Sequence, residues 1–261
     1  MHVFVTVNEL ISASHTITAL TRSDETAAML RKNGCSVLRG SIKDPVILER
    51  GAKKATSCRD EKVAIAALGA LIGTNKPLIT TCGTLALAKD ELSTEDDVID
   101  FNSPLTLRAQ SEQVVDSLAK QGVRACVIRL PPTLHGEEDT RSFIDMMTVL
   151  ASTQGQATYI GEGLNQWPTV HRQDASRLYR LALEKGVAGS RYHGVAEEGT
   201  AMKDIAEAIG QSLHLGTVSR TSEEAKDLGG ILHLINQEQL GWVPAGPKLL
   251  EDIKAGVHVR N

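Results

Sequence analysis

Along this chain, short apolar runs of strand character alternate with longer runs of helical spacing. A parallel sheet covered by helices on both faces accommodates that order, whereas an all-helical or all-strand core does not. Residues 2–6 read as a strand, 8–14 as a short helix, 16–20 as a second strand, and 24–33 as a helix closed by Gly34. Residues 36–39 form a third strand, 77–81 an apolar strand, 107–121 a helix, and 123–130 a strong strand stopped by Pro131 and Pro132. Between them, helices are expected over 45–54, opening near Pro45, and over 59–73.

Two places break this rhythm. The strand at 2–6 passes into helix-like sequence without a glycine, and the first glycine of the chain is Gly34. A strand that turns into a helix against a pyrophosphate uses glycine so that the backbone can approach the anion. In the second place two helices follow one another, and the linking Ala55-Thr56-Ser57-Cys58 is too short and polar for a central strand. Either the sheet lacks one strand here, or this region does not hold two successive helices. Both breaks fall where a dinucleotide would cross the carboxyl ends of the strands.

Composition narrows the classes of function. With 261 residues and 41% apolar content, the chain can bury one large core, or one core and a small lobe. A net charge of −4 with dispersed Lys and Arg offers no field for nucleic acid, and aromatics at 3% offer no base-stacking platform. The most apolar run, 63–72, is too short to span a bilayer, and the N-terminus lacks a signal peptide's layout, so no membrane partner and a cytoplasmic location are expected. Cys35, Cys58, Cys82 and Cys126 form no C-x-x-C pair, which argues against zinc and against a disulfide framework.

Five segments in order carry a family resemblance. They are Val127-Ile128-Arg129-Leu130-Pro131-Pro132-Thr133-Leu134-His135-Gly136, the run from Gly161 to Asp174 with Val170-His171, Tyr192-His193-Gly194-Val195-Ala196, the helix at 201–209, and Leu240-Gly241-Trp242-Val243-Pro244. Together they resemble an atypical extended short-chain dehydrogenase/reductase, of the NAD-dependent epimerase/dehydratase-like family, without the glycine-rich loop and the Y-x-x-x-K. The resemblance implies an α/β, Rossmann-like doubly wound parallel sheet with a small C-terminal substrate lobe. Residues 1–132 would form the nucleotide-binding domain, and 133–261 would complete the sheet and form the lobe.

The family's site residues can be carried over one at a time. With Glu112 fixing the register, Arg108 stands at the lysine position and Pro104 at the tyrosine position, and proline has nothing to titrate. Arg108 would then anchor a ribose or a carboxylate, or simply pair with Glu112. Thr81 and Thr84, beside Cys82, stand where the family's catalytic hydroxyl belongs; strand-end threonines that cap a helix or bend a turn are the competing reading. Thr6 would end the first strand, and Ser41-Ile42-Lys43-Asp44 resembles the adenine-contacting segment, with Asp44 equally suited to a helix N-cap. Arg22 followed by Ser23 replaces the acidic residue expected for NAD, which favours NADP; a plain surface arginine is the competing reading.

His171 with Asp174, and His135, could supply a proton or hold the lobe in place. Trp167 and Tyr159 could wall a substrate pocket or fill the core. Three functions follow as expectations: an NADP-linked (or NAD-linked) oxidoreductase or epimerase acting on a small carbonyl or hydroxyl compound, with weak or absent dinucleotide binding; a non-catalytic ligand- or partner-binding member; or an internally deleted, inactive form. A small-molecule substrate and a homodimeric assembly belong to the first.

Overall fold

The computed structural model describes residues 2–41, 44, 46–47, 71–87, 93–99, 110–137, 142–221 and 246–256. In chain order the elements are α1 (His2–Ser12), β1 (Thr18–Thr21), α2 (Asp24–Lys32), β2 (Ser36–Arg39), β3 (Pro77–Gly83) with a 3-10 turn at Thr84–Leu87, α3 (Gln110–Lys120), β4 (Arg124–Leu130) and β5 (Thr133–His135). Then come α4 (Phe143–Gln154), β6 (Gln156–Ile160), β7 (Gln166–His171), α5 (Arg172–Lys185), β8 (Arg191–His193), β9 (Glu197–Ala201), α6 (Met202–Leu213), β10 (Gly216–Arg220) and α7 (Leu249–Lys254).

The centre is β3 and β4, paired in parallel from Pro77 opposite Arg124 to Gly83 opposite Leu130, with β8 added in parallel on the far side of β4. Strands covered on both faces need continuous apolar sequence, which the Ala-Cys-Val-Ile run of β4 supplies. Leu78 and Cys82 pack with Val115 and Leu118 of α3, while Ile79 and Ile128 pack with Leu178, Leu181 and Ala182 of α5. A separate parallel pair, β1 and β2, carries α2. Helix α2 forms where local signals agree. The Ser23 hydroxyl accepts from the Thr26 amide at 3.3 Å, Asp24 and Glu25 occupy the first turn, Arg31 and Lys32 the last, and Gly34 leaves at φ 81°.

Beyond Thr133, β5, β7 and β9 form a third sheet, with β6 and β10 as a second parallel pair under α4, α6 and α7. The core here gathers Ile144, Met147, Trp167, Ile205, Ile209, Leu249 and Ile253. No described helix is long and apolar enough to cross a membrane.

One expectation is corrected. The first strand at 2–6 does not exist; those residues open α1, which continues through the stretch expected to begin at residue 8. Valine and threonine favour strands only weakly once tertiary contacts are available. Here the helix lies along α5, with Thr6 hydrogen-bonded to Ser176 at 3.1 Å, Arg180 donating to Glu9 at 2.6 Å and His15 paired with Glu184 at 3.1 Å. The pairs advance together, so the two helices run in the same direction. Among the described residues no ladder joins β1 to β3. The linking segment 55–58 lies outside the described residues, as do most of the helices expected at 45–54 and 59–73.

Candidate functional site

The carboxyl end of β3 concentrates hydroxyls. Thr81 lies on the face that packs on α5, and its hydroxyl is hydrogen-bonded to the phenol of Tyr179. Thr84, which opens the turn leaving β3, is fully buried, and its Oγ1 has no hydrogen-bond partner among the described residues; Thr80 Oγ1 finds none there either. Cys82 is buried. Burial first, and the Glu112 carboxylate second, push its thiol up to about 12.

Behind this end lies a buried charge network. Arg129 is wholly buried and donates Nε to Glu112 Oε1 and Nη2 to Glu112 Oε2, both at 2.8 Å. Its remaining donors reach the carbonyls of Asp97 at 2.9 Å and Glu95 at 3.4 Å, and Nη1 lies 3.2 Å from His193 Nε2. Arg191 joins through Glu112 at 3.3 Å and Asp116 at 2.8 Å. Burial, aided by the Arg129 charge, depresses His193 to about 3, so its ring is neutral at any working pH.

Sequence reasoning missed Glu95, which lies in a run of three acids that reads as solvated surface. Burial pushes its carboxyl up to about 7, against the pull of its own backbone amide and of Arg129. The folded chain therefore holds a proton that the unfolded chain releases above its ordinary range. This group favours unfolding increasingly as pH rises from about 4.5 through 7. Glu95→Gln is expected to raise Tm at pH 8 and to leave it unchanged at pH 4. After discounting for partial exposure the gain is about 1 kcal/mol, or roughly 2–4 °C. Equal shifts at both pH values in a thermal melt would contradict this.

At the carboxyl end of β1, Arg22 is exposed and forms no ion pair among the described residues. The Ser23 hydroxyl is engaged as the N-cap of α2, so it serves the helix. Beside them Arg39, ending β2, pairs with Asp24 at 3.0 Å. Thr6, expected at a strand end beside the cofactor, sits in α1 against Ser176. Ile42, Pro104 and Arg108 lie outside the described residues.

The two histidines do converge, in a second cluster. His135 Nδ1 is 2.6 Å from Asp252 Oδ2, His171 Nε2 is 3.8 Å from the same oxygen, and the rings meet edge-on at 5.3 Å. His171 also caps α5, its Nδ1 accepting from the Gln173 amide at 3.4 Å. Burial and the neighbouring His135 lower its pKa, opposed by Asp252 and Asp174. Asp174 accepts the Gly246 amide at 2.8 Å, and Glu197 accepts the Leu249 amide at 2.9 Å. Four side chains thus tie the C-terminal segment to the body, and Asp252, the pivot, is marked by no motif. Trp167 is core, edge-on to Phe143 at 4.9 Å, with Tyr159 against the same cluster.

No family model matches this sequence. The chain is 37% identical to an uncharacterized protein of Saccharomyces cerevisiae over 279 aligned positions, which cover 95% of this chain and 93% of that one. An uncharacterized protein of Schizosaccharomyces pombe is 36% identical, with 97% and 94% covered. Both alignments are longer than the 261 residues of the chain, so the relatives carry positions that it lacks. Among solved structures it resembles dTDP-glucose 4,6-dehydratase of Bacillus anthracis in complex with NAD, at TM-score 0.78 and 16% identity, covering 98% of this chain and 92% of that one. It also resembles UDP-glucose 4-epimerase of Thermus thermophilus in complex with NAD, at TM-score 0.75 and 16% identity, covering 98% and 94%. At such identity the likeness establishes the fold.

Proposed function

This chain belongs to one family with the two fungal proteins and has the Rossmann-like fold of the NAD-dependent epimerases and dehydratases; from that premise we propose an NAD(P)-dependent oxidoreductase or epimerase-type protein acting on a small carbonyl or hydroxyl compound. The observation that carries the reading is Thr84. Its hydroxyl is fully buried, has no hydrogen-bond partner among the described residues, and stands at the carboxyl end of a parallel strand, the end at which this architecture commonly takes its ligands.

The residues fit the dinucleotide unevenly. Arg22, exposed at the end of β1, suits a ribose 2′-phosphate, and the hydroxyls of Thr81 and Thr84 suit the reacting end. The middle is poorer, because no glycine precedes Gly34 to let the backbone approach a pyrophosphate. The dinucleotide, when bound, would supply the hydride. The chain's own residues would orient the substrate oxygen through Thr84 and hold the Thr81 hydroxyl against Tyr179. His135 and His171 would serve chiefly to seat the C-terminal segment, and the assembly would be a homodimer.

The test is titration of the purified protein with NADPH and NADH, followed by turnover against small carbonyl compounds. NADPH should bind more tightly, and Arg22→Ala should remove about tenfold of that preference while leaving NADH nearly unchanged, as expected for one charge-assisted contact. Equal affinity of the unmodified chain for both cofactors would show that Arg22 points elsewhere.

A second reading is favoured by the alignment length: a shortened form that folds without dinucleotide affinity. Its mark would be no response to either cofactor by this chain, alongside a clear response by the Saccharomyces relative.

A further inference from the structure

We propose that residues 93–99 form a gate over the Thr84 hydroxyl, and that the gate opens when the Glu95 carboxyl gives up its proton. The inference rests on the reading that Thr84 meets the substrate, and it supplies what that reading needs. Thr84 is 0% accessible, so a ligand reaches its hydroxyl only if a covering segment moves.

Segment 93–99 is fastened to the turn that Thr84 opens. At one end the buried Ser93 hydroxyl donates at 3.1 Å to the carbonyl of Leu87, the last residue of that turn. At the other end Ile99 is buried in one apolar cluster with Cys82, Ala86 and Leu87. Between these anchors the chain turns back on itself, the Thr94 amide donating to the Asp97 carboxylate at 2.7 Å and the Asp97 amide to the Thr94 carbonyl at 3.2 Å. The turn presents the Glu95 and Asp97 carbonyls to Arg129. Thr94, Asp96 and Val98 are exposed, so the cover is thin, and a thin segment with few apolar anchors opens before the rest of a fold does.

Glu95 is half-buried, and its Oε1 accepts the His193 amide at 3.4 Å. Among the described residues it is surrounded by Arg129 on β4, the neutral His193 ring on β8, and Asp96 and Asp97 on its own segment; Glu112 on α3 and Arg191 on β8 pair with each other behind Arg129. Arg129 spends its donors on Glu112 and on the two carbonyls, so an ionised Glu95 receives no hydrogen bond from it. In water the carboxylate would be hydrated. The proton therefore belongs to the closed form, in which burial pushes Glu95 from 4.5 up to about 7. A group that holds its proton more tightly closed than open weakens closure as pH rises, by about tenfold per pH unit between those two values and no further above them.

Hydrogen exchange read by mass spectrometry follows the gate directly and needs no ligand. Protection factors, from which the intrinsic pH dependence of exchange is removed, should fall about tenfold over 93–99 between pH 6 and pH 8, while β4 keeps its protection. Glu95→Gln, which cannot ionise, should hold the segment equally protected at both pH values, and Ser93→Ala should loosen it at both. Alkylation of Cys82, located by peptide mapping, should be several-fold slower in Glu95→Gln than in the parent at pH 8 and equal at pH 6. Constant protection of the parent's 93–99 between pH 6 and pH 8, or a Glu95→Gln variant as sensitive to pH as the parent, would overturn the gate. Protection that depends on pH with no response to NADPH leaves the gate standing and removes the catalytic reading. Turnover of NADPH beneath a segment of constant protection does the reverse.

Discussion

Glu112→Ala is expected to destabilise the protein by about 3–5 kcal/mol, the range for breaking a buried ion pair on one side. The carboxylate is nearly inaccessible and satisfies both forks of a guanidinium that has no access to solvent. Removing it leaves the Arg129 charge with two backbone carbonyls and a neutral histidine, none of which compensates it. Arg191 keeps Asp116 and will not fill the gap. Against total stabilities of about 5–15 kcal/mol, a loss of this size removes a large share of the stability. Replacing both partners tests the cause: Arg129→Met with Glu112→Leu should cost less than Glu112→Ala alone, because no unpaired charge stays inside. Urea unfolding of the two variants decides it, and a Glu112→Ala midpoint matching the parent's would mean that the pair does not hold β4 to α3.

Dinucleotide affinity should fall at least a hundredfold short of that of dehydrogenases with a glycine loop. Backbone amides donated to a pyrophosphate are charge-assisted hydrogen bonds, each worth about 1.5–3 kcal/mol, and losing two of them weakens binding by at least two powers of ten. Helix α1 is spent on α5 through Thr6, Glu9 and the neighbouring His15. Fluorescence titration with NADPH reads the dissociation constant, and a value in the low micromolar range or below would sink the expectation. The two fungal relatives, whose alignments exceed this chain's length, are the natural comparison in the same titration.

What the sequence by itself determined was whatever rests on neighbours along the chain. The Ala-Cys-Val-Ile run of β4 could be covered only on both faces, Ser23, Asp24 and Gly34 bracket α2, and the alternation of strands and helices required a parallel sheet. Residues 2–6 went the other way, because a short apolar run satisfies strand and helix spacing alike, and docking on α5, some 170 positions away, made the choice. The site divides similarly. The place of Thr81 and Thr84 at the end of a strand was legible. Tyr179 against Thr81, Asp252 between two histidines, Glu95 under Arg129 and Arg39 on Asp24 were not, since no spacing brings such residues together. Local pattern fixes an element where its signals agree, as in α2 and β4; desolvation and pairing of charges act through space, so only the tertiary structure decided which of these polar groups met.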